Sequence, residues 1–277
     1  MKSKLVLGTV QFGCSYGINS AGRPDTAMVA SILSKASGSG IIFLDTSSAY
    51  GDAEDVLGRC IPDGAEFRII SKYPKGRGPV RNEFENSLKR LGRTSLYGYL
   101  MHHFQIYQEN KAVWKEFRAL RESGRCSKVG FSLYSPQELE VLLEDGVDFD
   151  ILQIPRNIFD RKFDPYFPLL KRRGVEIHVS STFLQGLFFK DREALPEKLL
   201  PLKKYLLQLD GIAASTGESV AELAMGFNLG NPAIDGVLIG VDNLSQLEAN
   251  LKSADARPLE MDINIKEQEL LNPVNWK

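Results

Sequence analysis

Eight short apolar runs set the frame for this chain: LVLGTV (5–10), IIFLDT (41–46), FRIISK (67–72), LYGYLMH (96–102), KVGFSL (128–133), FDILQI (149–154), EIHVSS (176–181) and GVLIG (236–240). None alternates strictly between apolar and polar residues, as expected of parallel strands buried on both faces. The stretches between them carry helical spacing. Val80, Phe84, Leu88 and Leu91 fall on one face of 80–91, and Val113, Phe117 and Leu120 do the same in 113–120. Val220, Leu223, Ala224 and Phe227 form another stripe, and Leu244, Leu247 and Leu251 the last. Ser135-Pro136-Gln137-Glu138 reads as a capping box with proline at the first helical position. Strands and helices in this alternation predict an α/β fold, a closed (β/α)8 barrel of the TIM type. The alternative is a doubly wound sheet, which calls for a glycine-rich dinucleotide fingerprint after an early strand. Gly8-Thr9-Val10-Gln11-Phe12-Gly13 does not match it, and the residues that follow do not read as a helix start. With no low-complexity tract or linker, residues 1–277 read as a single domain, and the long interval 182–234 as an extra loop or helix over the barrel mouth.

Composition narrows the partners. The net charge of -1 favours neither nucleic acid nor an anionic membrane. The three cysteines, Cys14, Cys60 and Cys126, are far apart and form no Cys-x-x-Cys, which argues against a disulfide framework or thiolate zinc site and for the reducing cytoplasm. In the opening MKSKLVLGTVQFG, Gln11 cuts the apolar run short of a signal-peptide core, and no apolar stretch reaches transmembrane length. The expected partner is therefore a small molecule, and the sequence leaves the oligomeric state open.

In a β/α barrel the chemistry lies where strands end. The second run ends Asp45-Thr46-Ser47-Ser48-Ala49-Tyr50-Gly51, the third Ser71-Lys72-Tyr73 and the fourth Met101-His102-His103. Each residue alone has an ordinary reading: Asp45 as a turn cap, Tyr50 as a core ring with a wet tip, Lys72 as half of a surface pair, His102 as a satisfied core histidine. Their arrival at one rim from adjacent strands favours chemistry. A free tyrosine, with a pKa of about 10, is a poor acid at neutral pH. A neighbouring lysine ammonium is expected to lower that value, and an aspartate to keep the lysine charged. A histidine from the next strand can hold a carbonyl in line. Such a set gives a proton to a carbonyl oxygen while hydride reaches carbon. With only three histidines, two of them adjacent, a metal site is a weak reading.

These residues carry a resemblance to the aldo-keto reductases that covers nearly the whole chain. LDTSSAYGDAEDVLG is similar to the family's Asp-Thr-Ala-x-x-Tyr-Gly…Glu…Leu-Gly segment. The resemblance implies a catalytic tetrad of Asp45, Tyr50, Lys72 and His102, with Tyr50 the general acid and His102, rather than His103, orienting the carbonyl. It also implies a cofactor, NADPH or NADH. KVGFSLYSPQEL resembles the family's Gly-x-Ser-Asn-x-Ser, which gives Ser132 the nicotinamide carboxamide and puts Leu133 where the family has asparagine. Gln153 matches the glutamine under the nicotinamide, and Asn157 follows in similar spacing. On the seventh strand and beyond it, Ser180, Ser181 and Leu187 fall on cofactor-binding positions; Ser180 stands where many members carry a stacking tyrosine, with Phe183 a candidate substitute. GVLIGVDNLSQLEANL is similar to the pyrophosphate and adenosine-phosphate segment, implicating Gly240, Val241, Asp242, Gln246 and Asn250. A helix starting near Asn243 offers free N–H groups to an anion, and Asn243 with Gln246 also reads as a capping box. Lys or Arg, common there in the family, is absent, and an acidic residue suits a free ribose 2′-hydroxyl better than a phosphate, so at most a weak NADPH preference is expected, with NADH use open.

The expected activity is reduction of an aldehyde or ketone. LGTVQFGCSYGI resembles a bacterial branch of the family linked to glycan or sugar-nucleotide metabolism, a hint of sugar-like substrates. Phe12, Tyr16, Tyr73, His103, Phe104, Phe159 and Trp276 read as pocket lining or, equally, as loop packing. Two other readings stay open: a nucleotide-binding regulatory or partner subunit with little turnover, and an isomerase or epimerase that uses a parked nicotinamide.

Overall fold

The computed structural model describes residues 4–20, 22–258 and 261–276. The proposed domain limits and the opening segment reach into Met1–Ser3 and Lys277, which lie outside the described residues. All eight apolar runs contain strands: β1 (Leu5–Gly8), β2 (Phe43–Asp45), β3 (Arg68–Tyr73), β4 (Leu96–Met101), β5 (Cys126–Ser132), β6 (Ile151–Pro155), β7 (Glu176–Ser180) and β8 (Gly236–Gly240). Each pairs in parallel with the next, and β8 pairs with β1 to close the barrel. The helices are α1 (Val10–Gly13), α2 (Thr26–Gly38), α3 (Ala53–Cys60), α4 (Val80–Leu91), α5 (Gln105–Glu109), α6 (Trp114–Glu122), α7 (Pro136–Glu144), α8 (Phe167–Arg172), α9 (Lys203–Thr216), α10 (Val220–Leu229) and α11 (Leu244–Ser253). Among the described residues no helix is long and apolar enough to cross a membrane.

Local chemistry sets the helix limits. α4 buries Val80, Phe84, Leu88 and Leu91, and stops at Gly92, whose φ of 62° is left-handed. α7 starts on the expected capping box: Ser135 N–H donates to Glu138 Oε2 at 3.1 Å, and Pro136 occupies the first helical turn. Between sheet and helices, Trp114 stacks on Phe131 at 4.4 Å and on Phe117 at 5.2 Å, and Tyr99 on Phe117 at 5.6 Å. Burying each such ring contributes about 2–3 kcal/mol.

Two regions go beyond the sequence reading. A single helical turn, α1, directly follows β1. The interval 182–234 holds 3-10 turns and the additional helix α9 as well as α10. These pack with Phe159 and the C-terminal Met261, Ile263, Ile265, Leu270 and Leu271 into a second hydrophobic cluster. The insertion is therefore anchored by its own core. Its first part meets the loop after β1, where Ile18 N–H donates to the Gln185 carbonyl at 3.1 Å. Ser181, Leu184 and Gln185 all have positive φ there.

Candidate active site

The period of two along a strand builds the site. Val6, Phe43, Ile70, Leu100 and Ile151 form an apolar layer inside the barrel. Two residues further along, on the same inward face, the chain places Asp45, Lys72, His102 and Gln153. The apolar layer closes the floor beneath them, and all four are buried.

Lys72 is 0% exposed, and its three ammonium protons are all used. They go to Asp45 Oδ1 at 2.6 Å, the Thr46 carbonyl at 2.9 Å and the Tyr50 hydroxyl oxygen at 3.3 Å. Asp45 Oδ2 accepts from Gln153 Nε2 at 2.7 Å. A buried ammonium is tolerable only when satisfied in this way. Because the Tyr50 oxygen accepts from Lys72, its own O–H is left to donate outward.

Tyr50 reaches this point from the turn after β2. Gly13 and Gly51 let that turn and α1 pack backbone to backbone: a Cβ on Gly13 would overlap the Tyr50 carbonyl, and one on Gly51 the Gly13 carbonyl. Gly51, at φ 57°, also needs the left-handed conformation. These two glycines of the QFG and AYG segments fix where the phenol sits.

The sequence expectation that lysine lowers the Tyr50 pKa is corrected. The phenol is held well above its ordinary value, first by burial and then by the Asp45 charge and the Tyr134 and Cys14 neighbours. Burial outweighs the Lys72 ammonium, even though its Nζ lies 3.3 Å from the phenol oxygen. His102 is also driven to its neutral form: burial, then Lys72 and His103, push it down to about 2. Its ring stands edge-on to Tyr50, with centroids 5.6 Å apart, while His103 is exposed and stacks on it at 4.7 Å.

Three residues at the mouth escaped the sequence-based assignment of roles. Ser47 is fully buried, with its Oγ 3.1 Å from His102 Nδ1. Tyr134 exposes 43% of its surface, yet its hydroxyl lies deep enough to bond with Ser132 and to feel Lys72 and Asp45. Cys14 lies close enough to raise the Tyr50 pKa. Only Ser47 left a sequence signal, as a departure from the alanine of the resembling segment. Tyr16, whose hydroxyl accepts from Gln185 Nε2 at 2.8 Å, faces Tyr50 and Tyr134.

The proposed cofactor residues divide by orientation. Ser132 and Gln153 are buried neighbours in register on β5 and β6, and Ser180 ends β7. With Gln153 Nε2 given to Asp45, its carbonyl oxygen remains as an acceptor at the position in register with Ser132, whose hydroxyl bonds with Tyr134 until a ligand takes its place. A carboxamide, which offers both an N–H and a C=O, fits that donor set. Leu133 is 1% exposed in the outer core, so it supplies no substitute for asparagine. Val241 and Leu187 are also core side chains and can meet a ligand only through main chain. Ser181 follows β7 at φ 61°. Asn243 Oδ1 caps α11 by accepting from Gln246 N–H at 2.9 Å, while Gln246 Oε1 accepts from Asp242 N–H at 2.7 Å rather than from the cap residue. The cap is thus half of the expected box. The Leu244 and Ser245 amides head the helix with its positive dipole end, which suits a phosphate. Asn250 lies two turns on, buried at 8% exposure. The residues present fit a nicotinamide dinucleotide.

Several proposed pocket aromatics pack elsewhere. Phe12, Tyr73, Phe104 and Phe159 are core residues; Tyr73 follows inward-facing Lys72 on β3 and packs on Phe117. Trp276 donates to the Leu270 carbonyl at 2.7 Å, within the tail. Phe183 packs against Phe189 at 5.1 Å. Asn157 Oδ1 closes a turn by accepting from Phe159 and Asp160 N–H.

A model of the Aldo/keto reductase family matches residues 4–267. The chain is 28% identical to an L-glyceraldehyde 3-phosphate reductase of Escherichia coli over 270 residues, covering 80% of this chain and 77% of that protein. It is 25% identical to an L-galactose dehydrogenase of Arabidopsis thaliana over 260 residues, covering 85% and 79%. Among solved structures, the holo form of an aldo-keto reductase from Bacillus halodurans shares the fold with a TM-score of 0.76 at 21% identity, over 93% of this chain and 88% of that one.

Proposed function

The chain belongs to the aldo-keto reductase family and is an NAD(P)-dependent oxidoreductase, and from that premise we propose that it reduces a sugar-like aldehyde or ketone with Tyr50 as the proton donor, in a single domain spanning 1–277. The observation that carries the proposal is the fully used Lys72 ammonium, which turns the Tyr50 O–H outward beside neutral His102. Bound nicotinamide supplies the hydride. Ser132 and Gln153 would hold its carboxamide, and Ser180, Ser181, Leu187, Gly240, Val241 and the α11 start would contact the rest. His102 hydrogen-bonds the substrate carbonyl and holds it in line. Tyr50 then gives its proton to the oxygen as charge develops there. An alkoxide is a stronger base than a phenolate, so a high phenol pKa does not block the transfer.

The sugar-like assignment is supported by the polar mouth, where Tyr16, Tyr134, Gln185 and His103 offer hydrogen bonds to hydroxyls. The two relatives named for L-glyceraldehyde 3-phosphate and L-galactose point the same way. A turnover screen checks it: activity on simple aldehydes but on no sugar removes the sugar-like class.

NADPH is expected to bind with at most a weak advantage over NADH. The first turn of α11 carries no cation, and Asp242, which accepts from Ser20 Oγ at 3.4 Å, stands just before it. Comparing Kd for the two cofactors tests this, and a clear NADPH preference overturns it. Carbonyl-dependent oxidation of the bound cofactor tests the activity itself. Cofactor that binds without any such turnover would favour the regulatory-subunit reading.

The pH profile follows from the two shifts. A phenol with a raised pKa stays protonated through pH 6–9, so reduction is expected to be flat there as far as Tyr50 is concerned. Alcohol oxidation needs the phenolate and is expected to rise with pH across the same range. His102, deprotonated down to about 2, adds no inflection near its ordinary value. Measuring kcat/KM against pH in both directions checks this; an acid limb near pH 6.5 that vanishes in His102→Gln contradicts it.

A further inference from the structure

We propose that Ser47 is a positioning residue that decides which nitrogen of His102 carries the proton, presenting Nε2–H to the substrate carbonyl. The inference rests on the reading of His102 as the carbonyl-orienting group. The family segment that LDTSSAYG resembles has alanine at this position, which offers no hydroxyl to the ring.

Ser47 lies in the turn after β2 and is 0% exposed. Its Oγ accepts the Ala49 N–H at 3.1 Å and lies 3.1 Å from His102 Nδ1. A hydroxyl has one proton and two lone pairs. Ala49 takes one lone pair. The acceptor that the structure offers the proton is Nδ1, and a buried hydroxyl left without an acceptor costs free energy. The ring is neutral, so it carries one proton. With Nδ1 accepting from Ser47, that proton sits on Nε2. The opposite arrangement, with Nδ1–H donating to Ser47, strands the hydroxyl proton. It also turns the Nε2 lone pair toward the carbonyl oxygen, where two acceptors repel.

Two ring contacts hold the imidazole plane while Ser47 sets its proton. Tyr50 meets it edge-on at an interplanar angle of 84°, and His103 stacks nearly parallel at 13°. The His102 N–H donates to the Tyr73 carbonyl at 3.0 Å and fixes the backbone beneath. Tautomer and orientation are thus set by different neighbours, and removing the Ser47 hydroxyl should release the first without the second.

The experiment is long-range 1H–15N correlation of the histidine rings in the uniformly labelled full chain, with His102 assigned by its loss in His102→Gln. Wild type is expected to show Nε2 protonated and Nδ1 bare. Ser47→Ala is expected to give a mixture of tautomers, with kcat/KM reduced in proportion to the fraction left on Nε2, about two-fold for an even mixture and about ten-fold if nine-tenths of the rings carry the proton on Nδ1, and cofactor Kd unchanged. Ser47→Thr, which keeps the hydroxyl, is expected to restore both spectrum and rate. A wild-type ring protonated on Nδ1 overturns the proposal, and that spectrum needs no variant to fold. An unchanged tautomer in Ser47→Ala also overturns it. If the tautomers mix but the rate holds, Ser47 sets the proton as proposed, and the carbonyl-orienting role of His102 is what fails.

Discussion

Replacing Tyr50 with phenylalanine is expected to lower kcat about a hundred- to ten-thousand-fold, the range a single general acid contributes, while the Kd for cofactor stays within about two-fold. The expectation follows from where the oxygen sits. It accepts one Lys72 proton at 3.3 Å, and its own proton points away from the pair. Phenylalanine keeps the ring and its edge contact with His102 but leaves the carbonyl without a donor. The third Lys72 N–H also loses its acceptor, which costs on the order of 1 kcal/mol. Unfolding midpoints should therefore move little compared with the change in rate. The contrast is checked by measuring kcat, KM and cofactor Kd on the same preparations. A variant that turns over at more than a tenth of the wild-type rate would move the proton donor elsewhere, and the neighbouring phenols of Tyr16 and Tyr134 would be next to replace.

What could be read from the sequence, and what could not, divides along lines of distance. Barrel closure was legible because each strand is short, apolar and locally encoded. The arrival of Asp45, Lys72 and His102 on one face was legible because period two carries Phe43 to Asp45, Ile70 to Lys72 and Leu100 to His102. The sense of the Tyr50 shift was not legible. It turns on the burial of the phenol and on the Asp45 charge beside it, neither of which a spacing along the chain encodes. Which aromatic residues near strand ends pack rather than line the pocket was not legible for a related reason. Tyr73 sits one residue beyond Lys72, and that single step turns it to the helix side. Gly13 and Gly51 look like ordinary turn glycines until the α1 turn is seen resting on the Tyr50 loop. The pairing of Ser47 with His102 spans 55 positions. Its one trace in the sequence, serine in place of alanine, gains meaning only from the contact.

Lys72→Met is expected to damage stability and activity together, and a second substitution should pull the two apart. Removing the ammonium leaves Asp45, 2% exposed, as an uncompensated charge, and breaking a buried pair in this way costs about 3–5 kcal/mol. Tyr50 loses the N–H that orients its hydroxyl, and kcat should fall at least about a hundred-fold. Pairing Lys72→Met with Asp45→Asn removes both charges while an amide oxygen remains for Gln153 Nε2, which now meets Asp45 Oδ2 at 2.7 Å. Replacing both members of a buried pair is far milder than removing one, so most of the lost stability should return. The rate should not, because nothing in the double variant donates to the Tyr50 oxygen. Urea midpoints at constant m, read beside kcat, decide between the outcomes. Stability and rate returning together would mean that Lys72 acts only by holding the fold. A single variant as stable as wild type would mean that water enters beneath Tyr50 and relieves the Asp45 charge.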